Sequence, residues 1–410
     1  MTKQDFDIII IGAGPAGTTL ALNLAPTGLR IAVIEKEVFP RDKICGDALG
    51  GKVMNALKRI PDNAYNDFLH QVNKTPSWGI RFVAPNLKFL DVPFKLTYHS
   101  PEPAPGYLCR RRDFDYYLFN RLKKYPNIRV FQGEKVILIK KIHERIMVES
   151  GNNCFYGNLV AGADGVHSSA RKFLHPETIN KKHFCVGIRA YFDNVSYPEP
   201  DHFIELVFLK ELLPGYLWIF PSENGLTNVG LGIRQDKVKQ GKENLVTFFL
   251  RLIKEHPFLC PRFKNARQAS RIEAHTLPLG TASLPRSGNR TLLLGDAAFL
   301  VDPFTGEGIG NAMASGEIAA KVIKNCFNTN DFSDQALKQY DCDIQRRLIA
   351  EFKTSAKIQR LAKSAFLFDL IVNKARKNQE IRNILIGMYD DENLKKKLTR
   401  PGYYLRVLFQ

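Results

Sequence analysis

The pattern of apolar and polar positions divides the chain into stretches of different character. Phe6 to Ile11 is a short, almost wholly apolar run rich in β-branched residues, as expected of a parallel strand buried on both faces. Glycines between Gly12 and Gly17 break it, and Thr18 to Leu24 has the small and aliphatic composition of a packed helix. Arg30 to Ile34 is a second buried strand ending at Glu35, so the N-terminus reads as a βαβ unit. A helix is expected over Asp113 to Lys124. Short strands follow at Ile128 to Phe131, Val136 to Ile139, Ile146 to Glu149 and Asn158 to Ala161. From about Lys182 to Gln268 the pattern becomes alternating and strand-like. Its segments are Cys185 to Phe192, Ile204 to Phe208, Tyr216 to Phe220 and Thr227 to Ile233, joined by turns containing Pro and Gly. Thr291 to Leu294 then reads as a strand and Gly310 to Asn325 as a helix, and beyond Asp331 the chain is polar, basic and helical to about Lys397.

The fold class this predicts is α/β. A Rossmann-like nucleotide-binding domain, discontinuous over 1–75, 101–181 and 269–330, carries an inserted, mostly antiparallel β-sheet substrate domain over 76–100 and 182–268. A C-terminal helical region occupies 331–410. No apolar stretch is long enough to span a bilayer, and the first apolar run leads straight into glycines, unlike a signal peptide.

Composition changes this picture in one respect. The chain is 44% hydrophobic and 24% charged, ordinary for a globular protein, but its net charge is +18. Such a surplus suits nucleic acid, an anionic membrane surface or an acidic substrate. No zinc-finger spacing, RNP-type segment or basic heptad region accompanies it, so no nucleic-acid partner is expected. Solvated basic faces and peripheral membrane contact remain as readings. The seven cysteines are odd in number and form no Cys-x-x-Cys pair, and the nine histidines show no ligand spacing. A reducing cytoplasm fits, with no disulfide framework and no metal.

Chemistry enters through three motifs. Gly12-Ala13-Gly14-Pro15-Ala16-Gly17 lies between a strand and a helix. Its first glycine permits the tight turn, its second lets backbone approach a pyrophosphate, and its third lets helix and strand pack. The helix N-terminus supplies unpaired N–H groups for phosphates, and Glu35, followed by Lys36, closes the next strand where ribose hydroxyls would sit. The second motif is Asp164-Gly165, in Ala161-Gly162-Ala163-Asp164-Gly165 at the end of the strand expected over Asn158 to Ala161. The third is Gly295-Asp296, after Leu292 to Leu294. Pro303, Gly306, Glu307, Gly308 and Ile309 follow, where glycines would let backbone pass beneath a flat ring and a helix would aim its N-terminus at it.

Together and in this order, the motifs resemble those of the para-hydroxybenzoate hydroxylase superfamily of flavoproteins, which implies bound FAD rather than NAD. Within it, Pro40 to Asp47, the Asp302 to Met313 stretch, and Tyr216 to Pro221 with its following Gly230-Leu231-Gly232 resemble the geranylgeranyl reductase family. Arg111, in Arg111-Arg112-Asp113-Phe114-Asp115, is similar to that family's Arg-x-x-Phe-Asp arginine, which implies an FAD contact. The resemblance spans roughly residues 5 to 320. It implies that Cys45, Gly46, Asp47 and Ala48 lie close to the flavin. It also implies that flavin N5 delivers hydride to a double bond in an isoprenoid chain of a prenyl lipid or quinone, with NADPH or NADH as electron donor. Cys45 is then a candidate to tune the flavin or deliver a proton, or else a small buried residue. Tyr216 and Trp218 point to one side of their strand and line a prenyl slot, or pack as core. Leu361 to Val372, taken as one mostly apolar helix, is either core or a monotopic membrane contact with basic flanks. Two other functions stay open: a flavin monooxygenase or halogenase, although the halogenase Trp-x-Trp-x-Ile-Pro is absent at Tyr216 to Pro221, and a non-catalytic, membrane-associated flavoprotein.

Overall fold

The computed structural model describes residues 2–94, 102–151, 153–197, 203–222, 225–238 and 243–378. At its centre lies Ile8–Ile11, four consecutive isoleucines all buried. Such a strand needs both of its faces covered, which a parallel sheet between helices provides. The sheet has six strands in the order Ser287–Gly288, Thr291–Leu293, Leu159–Gly162, Ile8–Ile11, Ile31–Glu35 and Ile128–Gln132, parallel except at the first pair. Ile8 stands opposite Leu159 on one side and Ile31 on the other. The helices Pro15–Leu24 and Ile309–Thr329 pack closely because Gly316 carries no side chain; a Cβ there would lie 2.6 Å from the Ala16 carbonyl oxygen. A smaller sheet joins Val136–Ile142, Arg145–Ser150, Asn153–Gly157 and the edge strand Thr2–Asp5. Thr2–Asp5 escapes the apolar pattern because all four of its residues are polar, and Asn153–Gly157 because its apolar core is only Cys154, Phe155 and Tyr156.

The second large sheet has eight strands. Phe184–Asp193, Leu226–Arg234, Tyr216–Pro221 and Ile204–Val207 run antiparallel in that order. Ile204–Val207 then pairs in parallel with Gly79–Val83, whose hairpin partner Phe89–Pro93 forms the edge. Glu273–Pro278 and Arg267–Gln268 pair with the opposite side of Phe184–Asp193. Alternation decides what each face does. Leu217, Ile219, Val229 and Leu231 are fully buried beneath Phe249, Leu252 and Ile253 of the helix Leu245–Glu255. Tyr216 and Trp218 point the other way, into the space between the two large sheets.

Two corrections concern helices. The helix expected from Asp113 begins at Arg111. The single apolar helix expected over Leu361 to Val372 is two helices. Ala350–Leu361 ends there, and Ser364 caps Ala365–Lys377 by accepting the Leu367 N–H at 3.3 Å. Positions from 379 onward, including the helix expected to reach Lys397, lie outside the described residues. Among the described residues, no helix is long and apolar enough to cross a membrane. The C-terminal helices are pinned to the body by Phe352, which is 1% exposed and fills the place of a side chain at Gly280; a Cβ there would sit 2.1 Å from the ring.

Candidate active site

A cavity of about 1570 Å³ opens between the two large sheets. One half is walled by the carboxyl ends of the parallel strands. Gly12 has φ of +100°, and a Cβ there would lie 2.3 Å from the Ala163 carbonyl oxygen. At Gly17 a Cβ would lie 2.0 Å from the Gly12 oxygen, so both positions demand glycine. No side chain caps Pro15–Leu24 at Gly14, which leaves the helix's first N–H groups at the cavity wall. Glu35 is 5% exposed and held in place by two backbone N–H groups, that of Ala13 at 2.8 Å and that of Glu37 at 3.0 Å. Lys36 is exposed at the mouth.

Asp164 is turned to another task. Its carboxylate accepts the Ser168 hydroxyl at 2.5 Å and the Ser169 N–H at 2.6 Å, so it holds the start of the helix Ser169–Leu174, while burial raises its pKa. Gly165, at φ +77°, turns the chain at the cavity wall. Gly295 leaves room for Ala16 and Ala312, either of which would stand 3.2 Å from a Cβ. Beside it Asp296 accepts a hydrogen bond from Lys43 Nζ at 2.9 Å. Burial alone would raise the Asp296 pKa; the Lys43 charge outweighs it and holds the carboxyl below its ordinary value.

His275 faces the same region. Burial first, then the Lys43 charge, pushes its pKa down to about 4, so the imidazole is neutral at physiological pH. Its Nε2 is buried and has no partner among the described residues. A side-chain-free cradle at a helix N-terminus, acceptor carboxylates at two strand ends and an orphaned ring nitrogen in the same cavity together fit an FAD molecule, with its anionic centre and two polyhydroxyl segments.

The other half of the cavity is built around residues 40–48. Asp115 is fully buried and receives both nitrogens of Arg111, at 2.8 and 2.7 Å, and Arg41 at 2.7 Å. Burial works against the Arg111 charge, but Asp115, and after it the facing Cys45 sulfur, raise its pKa above the arginine norm. Cys45 is half-buried and lines the cavity with Gly46 and Ala48. A Cβ on Gly46 would lie 3.0 Å from the Phe220 ring and 3.4 Å from the Trp218 indole nitrogen. Asp47, 2% exposed at φ +67°, does not line the cavity; it accepts hydrogen bonds from Tyr191 Oη at 2.5 Å and Asn228 Nδ2 at 2.7 Å. Asn228 also donates to the Cys45 carbonyl at 2.8 Å and accepts the Trp218 indole N–H at 2.9 Å. One buried amide therefore ties the Cys45 loop to the Trp218 strand. The indole lies against glycines; a Cβ at Gly230 would be 2.3 Å from it.

Tyr216 donates its hydroxyl to the Thr305 carbonyl, next to Gly306 (φ +72°). That loop is shaped by Asp302, whose Oδ1 accepts the N–H groups of Phe304 and Thr305, each at 2.9 Å. Pro303, Gly306, Glu307, Gly308 and Ile309 all line the cavity, and Ile309–Thr329 starts there without a side-chain cap. The C-terminal helices close over it. Ser355 donates to Asp302 at 2.6 Å and Gln359 to the Pro303 carbonyl. Lys52 donates to Glu351 at 2.7 Å, and although burial opposes it, Glu307 and Glu351 raise its pKa.

The residues singled out from sequence thus gather at one cavity, apart from Asp47 just behind its wall and Gly17, packed beneath the Gly12 turn; Asp164 lines the cavity while its carboxylate holds a helix start. Sequence reasoning missed Lys43 and His275 as cavity residues and Asn228 as the tie. Asn228 did leave a signal, a polar amide inside an otherwise apolar strand, where asparagine is disfavoured. The helix Ala350–Leu361 falls in the helical stretch expected beyond Asp331, but nothing in its own sequence shows that it closes over the cavity.

Comparison with known proteins agrees with this geometry. The FAD binding domain family matches residues 5–350. A digeranylgeranylglycerophospholipid reductase of Thermoplasma volcanium is 28% identical over 357 residues, covering 84% of each chain. A menaquinone reductase of Mycolicibacterium smegmatis is 27% identical, covering 77% of this chain and 76% of its own. Among solved structures, a geranylgeranyl bacteriochlorophyll reductase-like protein from Thermoplasma acidophilum superposes with a TM-score of 0.79 at 22% identity, over 97% of this chain and 99% of its own. The halogenase PltM in complex with phloroglucinol and FAD gives 0.73 at 18% identity, over 95% and 85%; these likenesses establish the shared fold. The chain belongs to the FAD binding domain family and is an FAD-dependent oxidoreductase.

Proposed function

We propose that this enzyme reduces carbon–carbon double bonds in the isoprenoid chain of a prenyl lipid or quinone. The observation that carries the reading is the apolar wall of Ile80, Ile204, Leu206, Tyr216, Trp218, Phe220 and Phe304, continuous with the dinucleotide cradle in one cavity. The reductase names of the archaeal and mycobacterial relatives support the substrate class.

Bound and reduced, FAD supplies hydride from N5, with NADPH or NADH as the proposed electron donor. The chain's own residues do the rest. The Gly12–Gly17 turn and the first N–H groups of Pro15–Leu24 receive the pyrophosphate, and Glu35 receives the ribose hydroxyls. Asp296, with Lys43, receives the ribityl chain. The uncapped start of Ile309–Thr329 at the cavity wall would offer its partial positive charge to the flavin ring. Arg111 and Arg41 fix the Cys45 loop through Asp115. Tyr216 and Trp218 align the alkene and keep water away, which an unconjugated double bond requires of any hydride donor. The cavity-lining Cys45 thiol would supply the proton to the alkene carbon that does not take the hydride, and would be reprotonated from solvent.

The test is anaerobic. Reduced enzyme is mixed with geranylgeranyl phospholipids and menaquinones, and flavin absorbance and product mass are followed. The expected result is reoxidation with a gain of two hydrogen atoms per double bond. Failure of every prenyl substrate, together with oxygen-dependent hydroxylation or halogenation, would overturn the reading in favour of a monooxygenase or halogenase.

A further inference from the structure

Large apolar side chains exposed among the described residues are seven, and four of them fall on one surface: Leu87 and Phe89 of the edge hairpin, and Leu361 and Phe366 at the turn between the last two helices. Phe366 is 74% exposed, the highest of the seven. The hairpin and the helix Ala365–Lys377 form one unit. Asn86 N–H donates to Asp369 at 2.9 Å, Arg376 lies 5.8 Å from the Phe89 ring, and Val372 and Ala375 bury against Leu90 and Val92.

This surface is strongly basic. Between 350 and 378 the chain carries seven Lys or Arg residues against two acidic ones, Glu351 and Asp369. Lys357, Arg360, Lys363 and Lys377 are exposed around the apolar side chains, as is Lys88 on the hairpin. The opposite face of the same helix serves the cavity. The Phe368 ring packs at a tilt against Phe208, centroids 4.5 Å apart, in the cluster that holds Tyr216, Trp218 and Phe304. The exposed patch is therefore the outer side of the wall whose inner side is the apolar end of the cavity.

We propose that this patch docks the enzyme on an anionic lipid bilayer. Phe366, Leu361, Leu87 and Phe89 enter the boundary between headgroups and acyl chains, and the surrounding lysines and arginines attract the lipid phosphates. An aromatic tip inside a basic ring matches that boundary in both chemistry and charge. The inference goes beyond the reductase reading and does not need it, since binding is read without turnover.

The test uses the full-length, FAD-loaded protein in flotation with vesicles of phosphatidylcholine alone or mixed with phosphatidylglycerol. Binding is expected to the mixed vesicles, weakening as salt rises. Phe366→Ser with Leu361→Ser should weaken it at least about tenfold, and Lys357→Glu with Lys363→Glu should abolish the preference for phosphatidylglycerol. Ile137→Ser, at an exposed apolar residue elsewhere, should change nothing; flavin absorbance and thermal unfolding report whether each variant folds. The proposal fails if wild-type protein does not float with mixed vesicles at low salt, or if the folded Phe366/Leu361 variant floats as well as wild type. It fails equally if that variant keeps its flotation but dissociates a dimer by light scattering, which would assign the patch to a second copy of the chain.

Discussion

Replacing Asp47 by asparagine should remove a specific slope from the pH dependence of stability. Asp47 is enclosed with Tyr191, Asn228 and the Arg111 N–H as its partners, and burial raises its pKa from 3.8 to about 6, the hydrogen bonds and the Arg189 charge limiting the rise. The folded protein thus binds this proton more tightly than the unfolded chain does. Its contribution is complete below the unfolded value of 3.8 and is lost as the pH climbs through about 6. The gap corresponds to about 3 kcal/mol. Asp47→Asn keeps the side chain's shape and tolerates the same positive φ but does not titrate. Urea unfolding at saturating FAD, followed by tryptophan fluorescence, reads the difference directly; Trp218, one of two tryptophans, sits in the network itself. Between about pH 4 and pH 7 the wild type should lose about 3 kcal/mol relative to the variant. A difference that stays constant with pH, or one that moves in favour of the wild type as pH rises, would refute the assignment.

Other variants test other parts of the site. Gly12→Ala places a methyl 2.3 Å from the Ala163 oxygen at a φ that alanine resists, so the purified protein should lose its bound flavin, as read by its visible absorbance. Gly230→Ala places a methyl 2.2 Å from the Ile188 carbonyl oxygen and 2.3 Å from the Trp218 indole, so the strand pairing and the indole must both shift; the rate of prenyl-lipid reduction should fall roughly a hundredfold and the unfolding midpoint should drop. Asn228→Ala removes the partner of the Trp218 N–H, the Cys45 carbonyl and Asp47, and should cost about 1–3 kcal/mol in unfolding free energy per group left unpaired. Phe352→Ala opens a void against Gly280 and should cost about 3–5 kcal/mol, seen as a lowered unfolding midpoint.

What sequence could say about this molecule follows from the range over which each signal acts. The nucleotide cradle is local: strand, glycine turn and helix are consecutive, and each glycine's necessity is set by backbone a few positions away or by the adjacent strand. The outward aim of Tyr216 and Trp218 is local too, because alternation along one strand fixes it. The role of Asp164 was less legible, since a short acidic residue after a strand serves a sugar or a helix start equally well until Ser168 and Ser169 are seen closing on it. Lys43 reaches a carboxylate 253 positions away, and Asn228 reaches Cys45 across 183, so no window of sequence contains either pair. The apolar run from Leu361 looked continuous because hydrophobicity does not register a serine's preference for a helix start. Thr2–Asp5 is hidden by its polarity, and Asn153–Gly157 by its brevity, with only Cys154, Phe155 and Tyr156 between an asparagine and a glycine.

The parallel pairing of Gly79–Val83 with Ile204–Val207 also bears on how the protein is made. During synthesis, the hairpin leaves the ribosome about 120 residues ahead of the neighbour that completes it. The central sheet waits longer still, since Leu159–Gly162 acquires its outer partner only when Thr291–Leu293 has emerged. Neither sheet can therefore close before most of the polypeptide exists. A nascent chain halted near position 190 would carry two unfinished edges, a natural substrate for chaperones and a poor place to divide the gene.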